Sequence, residues 1–120
     1  MPWEFDNRLP IYVQLVDRLE QAIVSGTFAP GEKVDSVREL ASQAGVNPNT
    51  MQRALAELEQ EGLIYAQRTA GRFVTDDKEL IVRMRNRIAN EQIKRLFETL
   101  LELGYSQEEL KQLVQDYFAE

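Results

Sequence analysis

The sequence predicts a mostly helical chain with one small β-hairpin, in which an N-terminal domain is followed by two further helices. Apolar residues recur every three or four positions over five stretches, as they do in amphipathic helices. Two short runs of β-branched and aromatic residues flank a glycine after the third stretch, as in a β-hairpin. With 120 residues, of which 43% are hydrophobic, the chain has the size of one domain with an extension.

The composition excludes several kinds of chemistry. The chain has no Cys and no His, which removes disulfides, thiolate metal sites and the commonest general base. No apolar run approaches the roughly 18–20 residues that span a bilayer, and the acidic, proline-containing N-terminus is unlike a signal peptide. No glycine-rich phosphate loop follows a predicted strand. We therefore expect a cytoplasmic protein that is not an enzyme and has no membrane partner, metal or cofactor.

Residues 1–9 are predicted to form an extended arm. Its large apolar residues, Trp3 and Phe5, are expected to pack on the domain or on a partner subunit rather than to bind a ligand. A first helix is predicted from Pro10 to Ser25, and Gly26 ends it. The apolar face of this helix consists of Ile11, Leu15, Val16, Leu19, Ala22 and Ile23.

The linker after the first helix contains a turn and a candidate strand. Pro30-Gly31 is a strong turn signal, and Phe28 before it is expected to pack into the core. Lys33 and Val34 are predicted to form a very short strand.

The next stretch predicts two helices joined by a tight turn. Ser36 and Glu39 have the spacing of a capping box, which begins the second helix, and Gly45 can adopt the positive φ that ends it. Asn47 can cap the third helix, and Pro48 occupies its first position, where a missing N–H costs nothing. This arrangement is a helix-turn-helix, whose second helix enters the DNA major groove. The predicted buried residues are Val37, Leu40, Ala41, Ala44, Met51, Ala54, Leu55 and Leu58.

A β-hairpin is predicted directly after the third helix, which ends near Glu61. Its strands are residues 63–67 and 72–75, and Gly71 in the loop between them can adopt positive φ. A hairpin in this position is a wing. Residues 1–75 are therefore predicted to form a winged helix-turn-helix domain.

Residues 76–120 are predicted to form a helical dimerisation domain. A long helix is expected over residues 78–103, and a capping box at Ser106 and Glu109 begins a last helix that ends near Ala119. Two helices alone have too little core to be stable, so we expect a homodimer, the commonest oligomer. The predicted interface consists of Leu80, Met84, Ile88, Ile93, Leu96, Phe97, Leu100, Leu110, Leu113, Val114, Tyr117 and Phe118.

The polar residues of the helix-turn-helix and of the wing are the candidate DNA contacts. Asn and Gln can bond to adenine edges, Arg to guanine or phosphate, and Thr to a phosphate or a thymine methyl group. An Arg on a hairpin can enter the minor groove, where the negative potential is enhanced. The same side chains could instead be helix caps or a solvated face. The predicted DNA-binding residues are Ser36, Arg38, Asn47, Asn49, Thr50, Gln52, Arg53, Arg68, Thr69, Gly71 and Arg72.

The charge balance leaves a second hypothesis open. The chain has a net charge of −6, and acids outnumber bases by ten to seven over residues 1–75, whereas DNA-binding surfaces are usually basic. The acids Glu57, Glu59 and Glu61 fall at the far end of the third helix, away from the predicted DNA face. The alternative is a winged-helix adaptor that binds a protein and not DNA.

The blocks PIYVQL, FAPGEK, SVRELA, VNPNTMQRAL and LEQEGLI, within residues 10–74, resemble the GntR family of bacterial transcription regulators. The short C-terminal part is similar to the YtrA-type subfamily, whose tail dimerises and is thought too small for a full effector-binding domain. The resemblance implies a homodimeric repressor on a (pseudo)palindromic double-stranded DNA operator. The regulated genes in that subfamily are often transporter genes. Whether a small-molecule effector binds is left open by the sequence.

Two positions depart from the family pattern. The family usually has Pro before the Ser of the SVREL block, where this chain has Asp35, which would lie near the DNA backbone or cap the helix. The family wing usually contains Arg-Gly-x-Gly, where this chain has Arg68-Thr69-Ala70-Gly71. Loss of the first Gly removes a close backbone approach to DNA. We therefore expect the contact with DNA to differ from the family pattern at Asp35 and Thr69.

Overall fold

The computed structural model describes residues 3–119. Met1, Pro2 and Glu120, at the ends of the predicted arm and of the predicted C-terminal domain, lie outside the described residues. Within these bounds the elements are α1 (Ile11–Val24), α2 (Val37–Ala44), α3 (Pro48–Gln60), β1 (Ile64–Gln67), β2 (Gly71–Val74), α4 (Lys78–Glu102) and α5 (Gln107–Ala119). This confirms the predicted mostly helical chain with a small hairpin, and the predicted ends differ by at most one residue.

Local hydrogen bonds explain where α2 and α3 begin and end. The Ser36 hydroxyl accepts from the Glu39 N–H at 3.2 Å, and the Glu39 carboxylate accepts from the Ser36 N–H at 3.4 Å. Gly45 ends α2 in the left-handed region with a φ of 69°. The Asn47 side-chain oxygen Oδ1 then accepts from the Asn49 N–H at 2.8 Å, with Pro48 in the first turn of α3. The predicted capping box, glycine stop and asparagine cap are all confirmed.

The hydrophobic core fixes the position of α3. Leu15 and Leu19 of α1 and Met51 and Leu55 of α3 are each at most 1% exposed, and α3 packs on both α1 and α2. Replacing one such leucine with alanine typically costs about 2–5 kcal/mol. The buried faces of α1 and α2 therefore hold α3 in one place.

The observed core differs from the predicted core at its edges. Val37 is half-buried, although it was predicted to be buried. Leu63 and Val74 beside the wing are fully buried, and Glu20 and Thr75 are buried polar residues. None of these four was predicted as core, because each owes its burial to segments that are distant in sequence.

The N-terminal arm is attached to α1 through one side chain. The Gln14 carboxamide accepts from the Asp6 N–H at 2.7 Å and donates to the Asp6 and Leu9 carbonyl oxygens at 2.8 and 3.1 Å. Trp3 and Phe5 stack with their ring centroids 6.3 Å apart, and both are half-buried. The arm therefore has ordered contacts of its own.

The wing contains more than its two strands. β1 and β2 pair antiparallel, with Ala66 opposite Arg72 and Gln67 opposite Gly71. On the other side of β2, the Val34 N–H donates to the Arg72 carbonyl and the Val74 N–H donates to the Glu32 carbonyl, both at 2.9 Å. The strand predicted at Lys33 and Val34 is present only as a single bridge between Lys33 and Phe73. β2 therefore has backbone partners on both sides.

The chain divides into two compact units, and the division lies between Arg85 and Asn86 inside α4. The domain boundary predicted after Thr75 stays a prediction. The second unit holds the rest of α4 and α5, and Leu110 is its one buried apolar residue among those described. No helix between residues 3 and 119 is long and apolar enough to cross a membrane.

Candidate nucleic-acid interface

The first turns of α3 present a row of polar side chains, which we call the recognition turn (residues 47–52). Asn49 and Gln52 are exposed and Thr50 is half-buried. The Asn47 side-chain oxygen accepts a hydrogen bond from the Asn49 N–H. The side-chain NH₂ group of Asn47 retains two donors for an acceptor on another molecule. The recognition turn therefore offers both the donors and the acceptors that base edges in the major groove require.

The start of α2 adds a hydroxyl and a cation. The Ser36 hydroxyl already accepts one hydrogen bond from Glu39, but its own hydrogen is available to a phosphate oxygen. Arg38 is exposed, and the described residues give it no ion-pair partner. A free guanidinium beside a helix N-terminus suits a phosphate group.

Arg53, also predicted to bind DNA, lies against α1. Its guanidinium carbon is 3.6 Å from the centroid of the Tyr12 ring, which is a cation–π contact. The contact joins α3 to α1, so Arg53 is partly engaged before any DNA is bound.

Arg72 has a partner in α3. Its Nε donates to the Glu59 carboxylate at 2.5 Å, and the two side chains are 23% and 33% exposed. Glu59 is one of the acids predicted to lie away from the DNA face, and its contact with the wing was not predicted. The two residues are thirteen positions apart, and no local pattern indicates the pair.

An open cleft of about 740 Å³ lies between the wing loop and the start of α2. Thr69 and Asp35, the two departures from the family pattern, both line it. Asp35 accepts a hydrogen bond from the Gln43 carboxamide at 3.0 Å, and Ser36 is the residue that caps α2. Of the two roles predicted for Asp35, the helix cap is therefore wrong.

Glycine is required at the base of the wing loop. Gly71 has a φ of 97°, and a Cβ there would lie 3.3 Å from the Lys33 side chain. Arg68 and Thr69 at the loop are exposed, and no described residue forms an ion pair with Arg68. The cations among the residues that line the cleft are Lys33 and Arg72, of which Arg72 is paired with Glu59. Exposed Arg68 directly precedes Thr69 in the loop, and exposed Arg38 directly follows Val37 in α2.

The second unit presents the predicted dimer face. A groove of about 530 Å³ between α4 and α5 is lined by Ile93, Leu96, Phe97, Leu100, Leu113, Val114, Tyr117 and Phe118, all of them predicted interface residues. Tyr117 and Phe118 are 74% and 77% exposed. Of the other predicted residues, Leu80 and Ile88 are half-buried, whereas Met84 and Leu110 are already buried within the chain. Leu101, Leu103 and Tyr105 are also exposed, and none of them is among the predicted interface residues.

The fold and this polar surface define a winged helix-turn-helix protein. The model of the bacterial regulatory proteins of the gntR family matches residues 11–74, which is more than half of the chain. The chain belongs to this family. The predicted resemblance is confirmed.

Two relatives match along most of the chain. The HTH-type transcriptional regulator YhcF of Bacillus subtilis (strain 168) is 34% identical over 107 residues, covering 89% of this chain and 88% of YhcF. The HTH-type transcriptional repressor YtrA of the same strain is 35% identical over 105 residues, covering 87% of this chain and 78% of YtrA. The chain is a transcription regulator of this family and not an enzyme.

Solved structures agree with this assignment. A GntR family transcriptional regulator from Listeria monocytogenes superposes with a TM-score of 0.86 at 40% identity, covering 93% of this chain and 98% of that one. The DNA-binding domain of AraR, solved in complex with operator ORE1, superposes with a TM-score of 0.54 at 28% identity. That match covers 62% of this chain and 94% of the AraR domain.

Proposed function

We propose that the protein is a sequence-specific repressor that binds a (pseudo)palindromic double-stranded DNA operator as a homodimer. The observation that carries the proposal is the recognition turn, whose Asn49 and Gln52 side chains are exposed on a helix that packs its opposite face into the core. Exposed Arg38 at the start of α2 adds a cation. The AraR domain with the same fold was solved on an operator, and the relative YtrA is named a repressor. Such a regulator acts on the chromosome, which places it in the cytoplasm.

The recognition turn would enter the major groove and contact base edges. Ser36 and Arg38 would hold the flanking phosphates, and Arg68, Thr69 and Gly71 at the wing would meet the backbone or minor groove. In a dimer the two half-sites would be about 34 Å apart, one turn of DNA, or a multiple of it.

The homodimer would form through the groove between α4 and α5. A second copy of the chain would bury these exposed apolar side chains, and twofold homodimers are the commonest soluble oligomers. Tyr117 and Phe118 in this groove are 74% and 77% exposed, and contiguous exposed apolar side chains mark interaction sites.

Selection of operator sequences from a random DNA pool, followed by fluorescence anisotropy, tests the proposal. We expect two inverted half-sites and a dissociation constant that rises steeply with salt. Arg38→Ala should weaken binding about tenfold and lower the salt dependence, whereas the control Arg95→Ala, another exposed arginine, should leave both unchanged. The proposal is wrong if no DNA sequence is bound at micromolar protein.

The charge of the cleft favours a second candidate, an adaptor that binds a protein and not DNA. Asp35 and Glu39 line the cleft beside the cations, and phosphates would be repelled by these carboxylates. In that case the protein would bind no DNA, and Arg38→Ala and Arg53→Ala would both leave its regulatory activity in cells unchanged, which distinguishes the adaptor from the repressor.

A further inference from the structure

We propose that Arg72 is a positioning residue and not a DNA contact: its ion pair with Glu59 sets the position of the wing relative to α3. This inference rests on the proposed function, since it concerns how the wing meets an operator. It changes the role that the sequence alone gives to Arg72.

The ion pair directs Arg72 away from the recognition turn. Glu59 lies ten residues after Asn49, which is about 15 Å along the helix axis at 1.5 Å per residue. Arg72 Nε is 2.5 Å from the Glu59 carboxylate. The guanidinium is therefore held near the C-terminal end of α3, while the base-contacting side chains are near its N-terminal end.

Partial burial makes the pair more than a surface contact. Both side chains are at least two-thirds buried, with 23% and 33% exposed. Water screens such a pair less than it screens an exposed one. Since Glu59 neutralises the guanidinium, Arg72 has little charge left to offer a phosphate.

Arg72 contacts three other segments of the chain: the segment before α2, β1 and α3. Its carbonyl accepts from the Val34 N–H at 2.9 Å, its strand partner is Ala66, and its side chain reaches Glu59. A shift of Arg72 would therefore move β2 against the segment before α2 as well as against α3. Arg68, four residues earlier in the loop, would move with it.

DNA binding by charge-altered variants separates positioning from contact. We expect Glu59→Gln and Arg72→Met each to weaken operator binding about two- to fivefold, the range of a partly exposed ion pair. Combining them should add nothing further. The exchange Glu59→Arg with Arg72→Glu restores an ion pair and should return both affinity and salt dependence to those of the unaltered protein.

A phosphate contact by Arg72 would give the opposite pattern. Glu59→Gln would then free the guanidinium and leave affinity unchanged or raise it. Arg72→Met and the exchanged variant would both lower the salt slope by about 0.9 per protomer, or about 1.8 per dimer, without recovery. Either result overturns the inference. Glu57→Gln, which removes an exposed carboxylate from the same helix, is the matched control.

Amide hydrogen exchange in the free protein supplies a readout that needs no DNA. We expect both single variants to speed exchange of the Val34 and Val74 amides, and the exchanged pair to restore protection. Unchanged protection in both single variants overturns the inference. If the unaltered protein binds no DNA while protection follows this pattern, the proposed function fails and the positioning of the wing by Arg72 stands.

Discussion

The contact between Tyr12 and Arg53 combines side-chain packing with electrostatic attraction. The Tyr12 ring lies under the Arg53 guanidinium at 3.6 Å, so α1 contributes to the orientation of a cation on α3. The aromatic face attracts the cation through its quadrupole, and such a contact is worth about 0.5–1 kcal/mol at an exposed site.

A double-mutant cycle tests this contact. Tyr12→Phe retains the aromatic face, so we expect it to keep the coupling to Arg53, whereas Tyr12→Leu should lose about 0.5–1 kcal/mol of coupling. The measurement is urea unfolding of each variant with and without Arg53→Met. Equal coupling energies for Tyr12→Phe and Tyr12→Leu would show that the ring only fills space.

Among the elements, α5 has an N-terminus whose hydrogen bonds give it a dependence on pH. The Ser106 N–H donates to the Glu109 carboxylate at 2.9 Å, and the Ser106 hydroxyl accepts from the Glu109 N–H at 3.2 Å. The bond from the Ser106 backbone, and secondly the interaction with its side chain, lower the pKa of the Glu109 carboxyl. The ionised form of Glu109 is therefore favoured in the folded state.

We expect the first turn of α5 to loosen in acid. Because the pKa of Glu109 is lower in the folded chain than in the unfolded one, its contribution to stability is present above the unfolded value of about 4.3. The contribution is lost as the pH falls through the lower folded value. A ¹³C NMR titration of the Glu109 carboxyl should give a midpoint below that of an unfolded glutamate, and Ser106→Ala, which removes the smaller of the two contributions, should raise that midpoint. A Glu109 midpoint at or above that of an unfolded glutamate would contradict this assignment.

The elements were predictable where their causes are local. Ser36, Gly45 and Asn47 act on residues within four positions, so composition and spacing were enough to place the ends of α2 and α3. The Arg72–Glu59 pair, the burial of Thr75 and the second partner of β2 depend on packing between distant segments. Sequence patterns contain no signal for such contacts, so the ion pair of Arg72 with Glu59 was not predicted.

For the molecule as a whole, the distribution of exposed apolar residues is uneven. Most of the large exposed ones lie between Ile93 and Phe118, within the second unit. That unit has one buried apolar residue among those described, Leu110. A helix pair with so little interior gains stability chiefly from what covers its surface.

Charged substitutions on this surface test the proposed homodimer. We expect Leu96→Asp and Leu113→Asp to give monomers or unfolded chain, because an unpaired carboxylate in an apolar interface is costly. Leu103→Asp is the matched control, since Leu103 is exposed and lies outside the groove. Sedimentation equilibrium measures the outcome. Dimers that persist in both Leu96→Asp and Leu113→Asp would reject this interface.

The double pairing of β2 has a consequence for the fidelity of folding. Side chains alternate between the two faces of a strand, so a slip by one residue would turn the side chains of Arg72 and Phe73 to the opposite faces. Phe73 would lose its stacking on Tyr65, where the ring centroids are 5.8 Å apart, and Arg72 would turn away from Glu59. Since β2 is hydrogen-bonded to the segment before α2 as well as to β1, a misregistered hairpin would break two rows of bonds at once. The segment 31–34 therefore adds backbone hydrogen bonds that only the observed register of the hairpin satisfies.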